Sequence, residues 1–194
     1  MTKQADLQES KVVGSSAVHL ICMFISMFIF WMILSGRTEV KFIVYGLITA
    51  AVTSWVTYPL LLVPNKAGTK KYFVFGVNPF KFIGYAIWLF WQLILANIDV
   101  FLATTSQELQ IDPKVVRFKF TADNPMAYVV LANSITLTPG TVTMNVTDDG
   151  LYEIHALTVG AADGIYGGDF PKHVADLYGE ELHFEMIEEE EENA

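Results

Sequence analysis

Two long apolar runs, residues 12–34 and 42–63, open the chain, and a third, 80–102, follows a polar loop. Beyond residue 115 the spacing changes to short alternating stretches. After Gly14 the first run is interrupted only by serines and His19, and it exceeds the roughly 20 residues a helix needs to cross the hydrocarbon. It is too long for a cleaved leader and begins behind an eleven-residue polar tail without a small-x-small cleavage pattern. The polar stretch 35–41 permits only a reversal, so the first two runs pair as an antiparallel hairpin. Pro59 and Pro64 close the second run. Trp31, Tyr45, Trp55 and Tyr58 fall near the run ends, where amphipathic rings favour the headgroup region.

The third run has a different grammar. Lys81, Tyr85, Trp88, Gln92 and Asp99 recur at spacings of 4, 3, 4 and 7, which is one stripe of a helix. Its uninterrupted apolar part, 82–91, is too short to span alone. Two placements are open: crossing beside protein partners, or lying in the interface with the stripe toward water.

From residue 115 the pattern is that of a small α+β domain. Residues 115–120 alternate, with Val116, Phe118 and Phe120 on one face, and predict a half-buried strand. Asn124-Pro125 is a helix cap followed by proline at the first helical position, and a short helix is expected over 126–135. Thr138-Pro139-Gly140 ends it, with Gly140 expected at positive φ. Residues 141–147 alternate again, with Val142, Met144 and Val146 on one side. Asp148-Asp149-Gly150 is a turn signal, so 151–158 should pair back as a hairpin. A Gly-rich loop over 160–168 and a final helix within 170–187 complete the expected order, β-α-β-β-α. The acidic run 188–192 predicts a solvated tail. The expected organisation is a polar tail (1–11), a membrane region (12–111), an α+β domain (112–187) and an acidic tail (188–194).

Composition strengthens the membrane reading. The chain of 194 residues is 53% hydrophobic and only 17% charged, with a mean hydropathy of +0.39, against about 25% charged for soluble domains. Charge also divides the chain. Residues 1–111 hold eight Lys/Arg against five acids, a balance of +3, and 112–194 hold four against sixteen, a balance of −12. Two regions in different environments are implied, and nucleic-acid binding, which needs a basic face, is not expected. Lys66, Lys70, Lys71 and Lys81 form the densest basic patch. The positive-inside rule puts that loop in the cytoplasm, the N-terminus with it, and the domain too if the third helix does not span.

Candidate chemistry is sparse. The lone Cys22 excludes an internal disulfide or a cysteine metal site and reads as a buried small apolar residue. Ionisable groups at mid-membrane depth mark ion pathways. The first two runs offer only His19, near one end. Asn97-x-Asp99 sits where the third helix should leave the membrane and reads as a polar exit or a contact to another subunit. The hydroxyl-rich stretch 133–141 could offer a weak cation site, but helix termination explains it more simply. His155 reads as a residue hydrogen-bonded at the exposed face of its strand. No nucleophile elbow, Walker loop or dinucleotide fingerprint is present, so no enzyme and no cofactor are expected.

With these residues in hand, the chain resembles the E-type subunits of the Mrp-type multisubunit cation/proton antiporters. The resemblance rests on Trp31, Asn97-Ile98-Asp99-Val100, Pro113, Ile154-His155-Ala156-Leu157, and above all Asn133-Ser134-Ile135-Thr136-Leu137-Thr138-Pro139-Gly140-Thr141. It extends over about residues 17–160, leaving out the N-terminal tail, and departs in the loop 66–75 and the acidic end 180–192. The resemblance implies an accessory assembly subunit of a bacterial inner-membrane complex of about seven subunits that exchanges Na⁺ for H⁺, its partners being the other subunits and membrane lipid. The large subunits of that family carry the membrane Lys and Glu residues. The alternatives are a Na⁺- or pH-sensing domain of the same complex, or the equivalent subunit of a membrane-bound hydrogenase-type complex. Asn97, Asp99, Asn133, Thr136, Thr138, Pro139, Gly140 and His155 are the candidate contact or functional residues.

Overall fold

The computed structural model describes residues 10–106 and 111–187. The acidic tail and most of the polar N-terminal tail lie outside the described residues. The chain divides into two compact units, Met1–Gly76 and Val77–Ala194.

The first unit is the expected hairpin. Helix α1 (Ser16–Ser35) and helix α2 (Val40–Thr57) are joined by four residues. Their contact is made by small residues: Gly46, Ala50 and Ser54 recur every fourth position on α2 and are its buried residues. Such a stripe lets two backbones approach where lipid gives no hydrophobic drive to associate. The Trp31 indole lies against Gly46, and its Nε1 donates to the Phe42 carbonyl at 3.0 Å. Cys22 is exposed on the outer surface of α1 rather than buried as expected. A 3-10 turn (Tyr58–Leu61) leads to a small sheet. Strand β1 (Lys11–Val12) runs parallel to β3 (Lys70–Phe73), which pairs antiparallel with β2 (Leu62–Pro64). The basic loop is therefore a hairpin, its turn held by the Asn65 Oδ1, which accepts from the amides of Thr69 and Lys70. His19 stacks on Phe73 at 4.6 Å.

The second unit begins with helix α3 (Pro79–Thr105), whose Asn78 cap accepts from the Phe80 amide at 2.9 Å. Its 27 residues make it, with α1 and α2, one of three helices among the described residues that are long and apolar enough to cross a membrane. The α+β fold follows: β4 (Lys114–Thr121), α4 (Pro125–Leu137), β5 (Thr141–Val146), β6 (Leu151–Ala156), α5 (Val159–Tyr166), α6 (Asp169–Tyr178) and β7 (His183–Ile187). The strands form one antiparallel sheet in the order β5-β6-β4-β7. Val116, Phe118 and Phe120 from β4 and Tyr152, Ile154 and Ala156 from β6 point to one face. There they meet Leu131 and Ile135 of α4, Ile165 of α5 and Val174 of α6. Helices on one face of an antiparallel sheet are a two-layer α+β solution, and α3 adds a further helix to the helical side.

Three details depart from the expected order. The stretch 160–168 is mostly helix, because Thr158 caps α5 by accepting from the Ala161 amide and Ala162 and Ile165 are buried at helical spacing. The final segment divides at Gly179, whose left-handed conformation ends α6, and β7 then adds a strand to the sheet. Along β5 a bulge falls between Thr143 and Asn145, and Val142 and Met144 face outward rather than into the core.

Candidate functional site

The polar stripe of α3 is where the sequence-marked residues meet. It faces the domain that follows it. At one end the Lys81 Nζ donates to the Asp176 carbonyl at 2.7 Å. One turn on, the Tyr85 hydroxyl pairs with Ser134 Oγ at 2.6 Å, both residues buried. The Trp88 indole stacks on the His173 ring at 3.8 Å, the two planes nearly parallel, and the His173 Nδ1 lies 2.8 Å from the Asp169 carbonyl. At the far end the Asp99 carboxylate accepts from the Thr158 hydroxyl at 2.7 Å.

Asp99 sits at the N-terminus of α5, where the helix dipole and unpaired amides favour negative charge. Thr158 serves both partners, its Oγ accepting from Ala161 and donating to Asp99. Gly160 permits the approach: a Cβ there would lie 2.8 Å from Asp99 Oδ1. Beside this contact is a cavity of about 180 Å³ lined by Gln92, Asp99, Thr138, Pro139, Thr141 and Gly160 among others.

The hydroxyls of the Thr-Pro-Gly block are already committed. Those of Thr138 and Thr141 both donate to the Ile135 carbonyl, at 2.7 and 2.5 Å, and lie 2.9 Å apart. They join the Thr138 amide at a carbonyl whose α-helical partner would be Pro139, which has no N–H. Gly140 has φ of 88°, and its carbonyl accepts from the Leu157 amide at 2.8 Å. A Cβ there would lie 3.2 Å from Val100 Cγ2 on α3 and 3.4 Å from the Ala161 Cβ on α5.

Asp99, Thr138, Pro139 and Gly140 therefore gather at one junction, where α3, the end of α4 and the start of α5 converge. The other candidates lie elsewhere. Asn97, two residues from Asp99, is on the opposite side of α3, and its amide donates to its own helix at Leu93 O, 2.7 Å. Asn133 and Thr136 line an open groove beside Tyr85 and Leu89, and Thr136 Oγ1 accepts from the Thr143 amide. His155 is on the other face of the sheet, paired in register with Val115 and Val142. On that face Arg117 bridges Glu153 at 3.1 Å and holds the Glu153 carboxyl below its usual range, Asn145 assisting.

Thr158, Gly160, Ser134 and His173 complete the junctions and were not singled out from sequence as members. The visible signal was the 81/85/88/92/99 stripe, which asked for a polar or aromatic partner without naming it. Among the described residues no group of three His, Cys, Asp or Glu converges as a metal site.

The family model described as MNHE, Na⁺/H⁺ ion antiporter subunit, matches residues 24–166. The chain is 30% identical over 133 residues to the E1-type Na⁺/H⁺ antiporter subunit of Staphylococcus haemolyticus, covering 69% of this chain and 77% of that one. It is 41% identical over 71 residues to the E-type Na⁺/H⁺ antiporter subunit of Alkalihalophilus pseudofirmus, a match spanning 36% of this chain and less than half, 45%, of that relative. In structure it is similar to a chain of the membrane-bound sulfane sulfur reductase, an archaeal respiratory membrane complex, with a TM-score of 0.62 and 30% identity, covering 80% of this chain and 96% of that one.

Proposed function

The chain belongs to the family of E-type Na⁺/H⁺ antiporter subunits, and on that premise we propose that it is a non-catalytic accessory subunit. It holds a multisubunit Na⁺/H⁺ antiporter together in the bacterial membrane and carries no ion itself. The observation that carries this is the distribution of charge. α1 has no Asp, Glu, Lys or Arg, and α2 has only Lys41, at its start. A subunit that conducts Na⁺ or H⁺ needs such groups at mid-membrane depth. The polar residues at the junction of the second unit are spent on internal bonds, Asp99 on Thr158 and both threonines on the Ile135 carbonyl. The concentration of Lys66, Lys70 and Lys71 between α2 and α3 supports a cytoplasmic position for the basic hairpin, and for the domain with it if α3 does not span.

A second reading has its own support. The likeness to a chain of an archaeal respiratory complex favours the equivalent subunit in a redox-driven membrane complex. Affinity purification of the full chain from its native membrane separates the two. Co-purification of other antiporter subunits supports the antiporter; co-purification of metal-cofactor redox subunits supports the second reading. Purification of the chain alone, with neither set of subunits, rejects both.

A further inference from the structure

Among the described residues, the outer face of α3 has no neighbour in the second unit. Ile83, Ile87, Phe90, Ile98 and Phe101 lie along it, each more than half exposed. The opposite face is tied to one folded domain at both ends, from the Lys81 bond to Asp176 to the Asp99 bond with Thr158. Those anchors are eighteen residues apart, roughly 27 Å along a helix and close to the roughly 30 Å thickness of the hydrocarbon. If α3 stood across the bilayer, the domain beside it would sit at hydrocarbon depth. That domain exposes Asp163, Asp169, Lys172 and Asp176 on α5 and α6, and charged groups at that depth are strongly disfavoured.

The polar side chains away from the domain carry the second observation. Asn97 donates to the Leu93 carbonyl at 2.7 Å, Thr104 to Val100 at 2.9 Å and Thr105 to Phe101 at 2.7 Å. All three fold back onto the carbonyls of their own helix. This arrangement suits an occupant that offers no hydrogen bonds, since water or a polar protein surface would compete for these groups. The occupant it fits is lipid.

We propose that α3 does not cross the membrane. It lies in the plane of the bilayer surface, with Ile83, Ile87, Phe90, Ile98 and Phe101 in the acyl boundary and the domain strapped to its polar stripe on the water side. Length and hydropathy mark α3 as a span, but an interfacial helix reaches the same length, and its bound polar face distinguishes it. The inference is independent of which complex holds the chain.

The test uses the full chain in native membranes with Cys22→Ala. Spin labels at Ile83→Cys, Phe90→Cys and Phe101→Cys, all on the exposed face, are read by power saturation with oxygen and with a water-soluble nickel chelate. The expected result is oxygen preferred over nickel at all three, with depths equal to within about one helical turn, roughly 5 Å. A deep Phe90 between shallow ends overturns the proposal, since that is the profile of a spanning helix. Exclusion of both reagents at all three sites overturns the choice of lipid in favour of a protein partner. Free access of nickel overturns it in favour of water. A second measurement labels Phe75→Cys, ahead of α3, and Lys114→Cys, at the exposed start of the domain behind it, with a membrane-impermeant maleimide. Both should react from the same side; reaction from opposite sides would also overturn the proposal.

Discussion

Removing the hydroxyl of Tyr85 tests whether α3 is bonded to the domain or merely beside it. Tyr85 is 6% exposed and Ser134 4%, and their hydroxyls are 2.6 Å apart. In Tyr85→Phe the ring keeps its packing against Trp88, 5.7 Å away, and only the oxygen is lost. Ser134 is then left with a buried hydroxyl and no partner, a penalty of about 1–3 kcal/mol. Ser134→Ala strands the tyrosine hydroxyl and should weaken the domain similarly. The double variant strands nothing, so its loss should fall well short of the sum, with a coupling of about 1 kcal/mol or more. A change of 1 kcal/mol moves the melting point of a domain this size by about 4 °C. Melting of the full chain in detergent can be followed by tryptophan fluorescence, Trp88 being part of the same contact. Equal melting temperatures for Tyr85→Phe and the parent would refute the reasoning, as would single losses that simply add in the double variant. Either result means that α3 is attached by something other than this hydroxyl pair.

Asp99→Asn should leave residual Na⁺/H⁺ exchange in any complex that still assembles, measured in everted vesicles; complete loss in a fully assembled complex would put Asp99 in the ion path. Gly140→Val forces a Cβ at φ of 88° and against Val100, a strain of about 1 kcal/mol or more, and should appear as loss of this subunit from the purified complex. Alkaline stability should track two tyrosines. Burial pushes Tyr178 up to about 12 and raises Tyr152 above its ordinary value. The unfolded chain ionises first, so stability should hold below about pH 10 and decline as pH climbs toward 12. Helix loss followed by circular dichroism should set in within that window and move to higher pH in Tyr178→Phe; an unchanged onset would count against the buried assignment.

Sequence pattern reached as far as one-sided burial reaches. β4 and β6 bury one face each, so strict alternation marked them. Asn124-Pro125 and Asp148-Asp149-Gly150 act through local geometry and could be read directly, as could the positive φ at Gly140. α5 was hidden because Gly160, Gly164 and Gly167 favour a loop by propensity, and tertiary burial of Ala162 and Ile165 overrides a weak preference. β7 was hidden because Phe184 and Met186 alternate with acidic and basic residues in a stretch whose composition suits a helix equally well. The α3 stripe was legible, but its occupant was not. An amphipathic face specifies that something polar covers it, and either water or a protein surface fits that description.

That occupant matters for how the protein acts. A polar stripe facing water would leave Asp99 free to meet ions or a neighbouring subunit. Bonded to Thr158 at the start of α5, the same carboxylate holds a helix against a domain. Chemistry that depends on Asp99 changing partners would first have to break this contact and loosen α3 at its far end. Tyr85 and Ser134 resist that movement from a position fourteen residues earlier on the same helix, so the two contacts act on one rigid element. A gate built here would have to move the whole helix, with the domain following. A scaffold needs no such movement, because it works by presenting a fixed surface. The two roles therefore part experimentally at Asp99 and Tyr85. In a scaffold, loosening either contact should reduce the amount of assembled complex and leave the turnover of what remains unchanged. In a gate, turnover should change at constant assembly, and the variant at Tyr85 should alter it in proportion to its effect on stability.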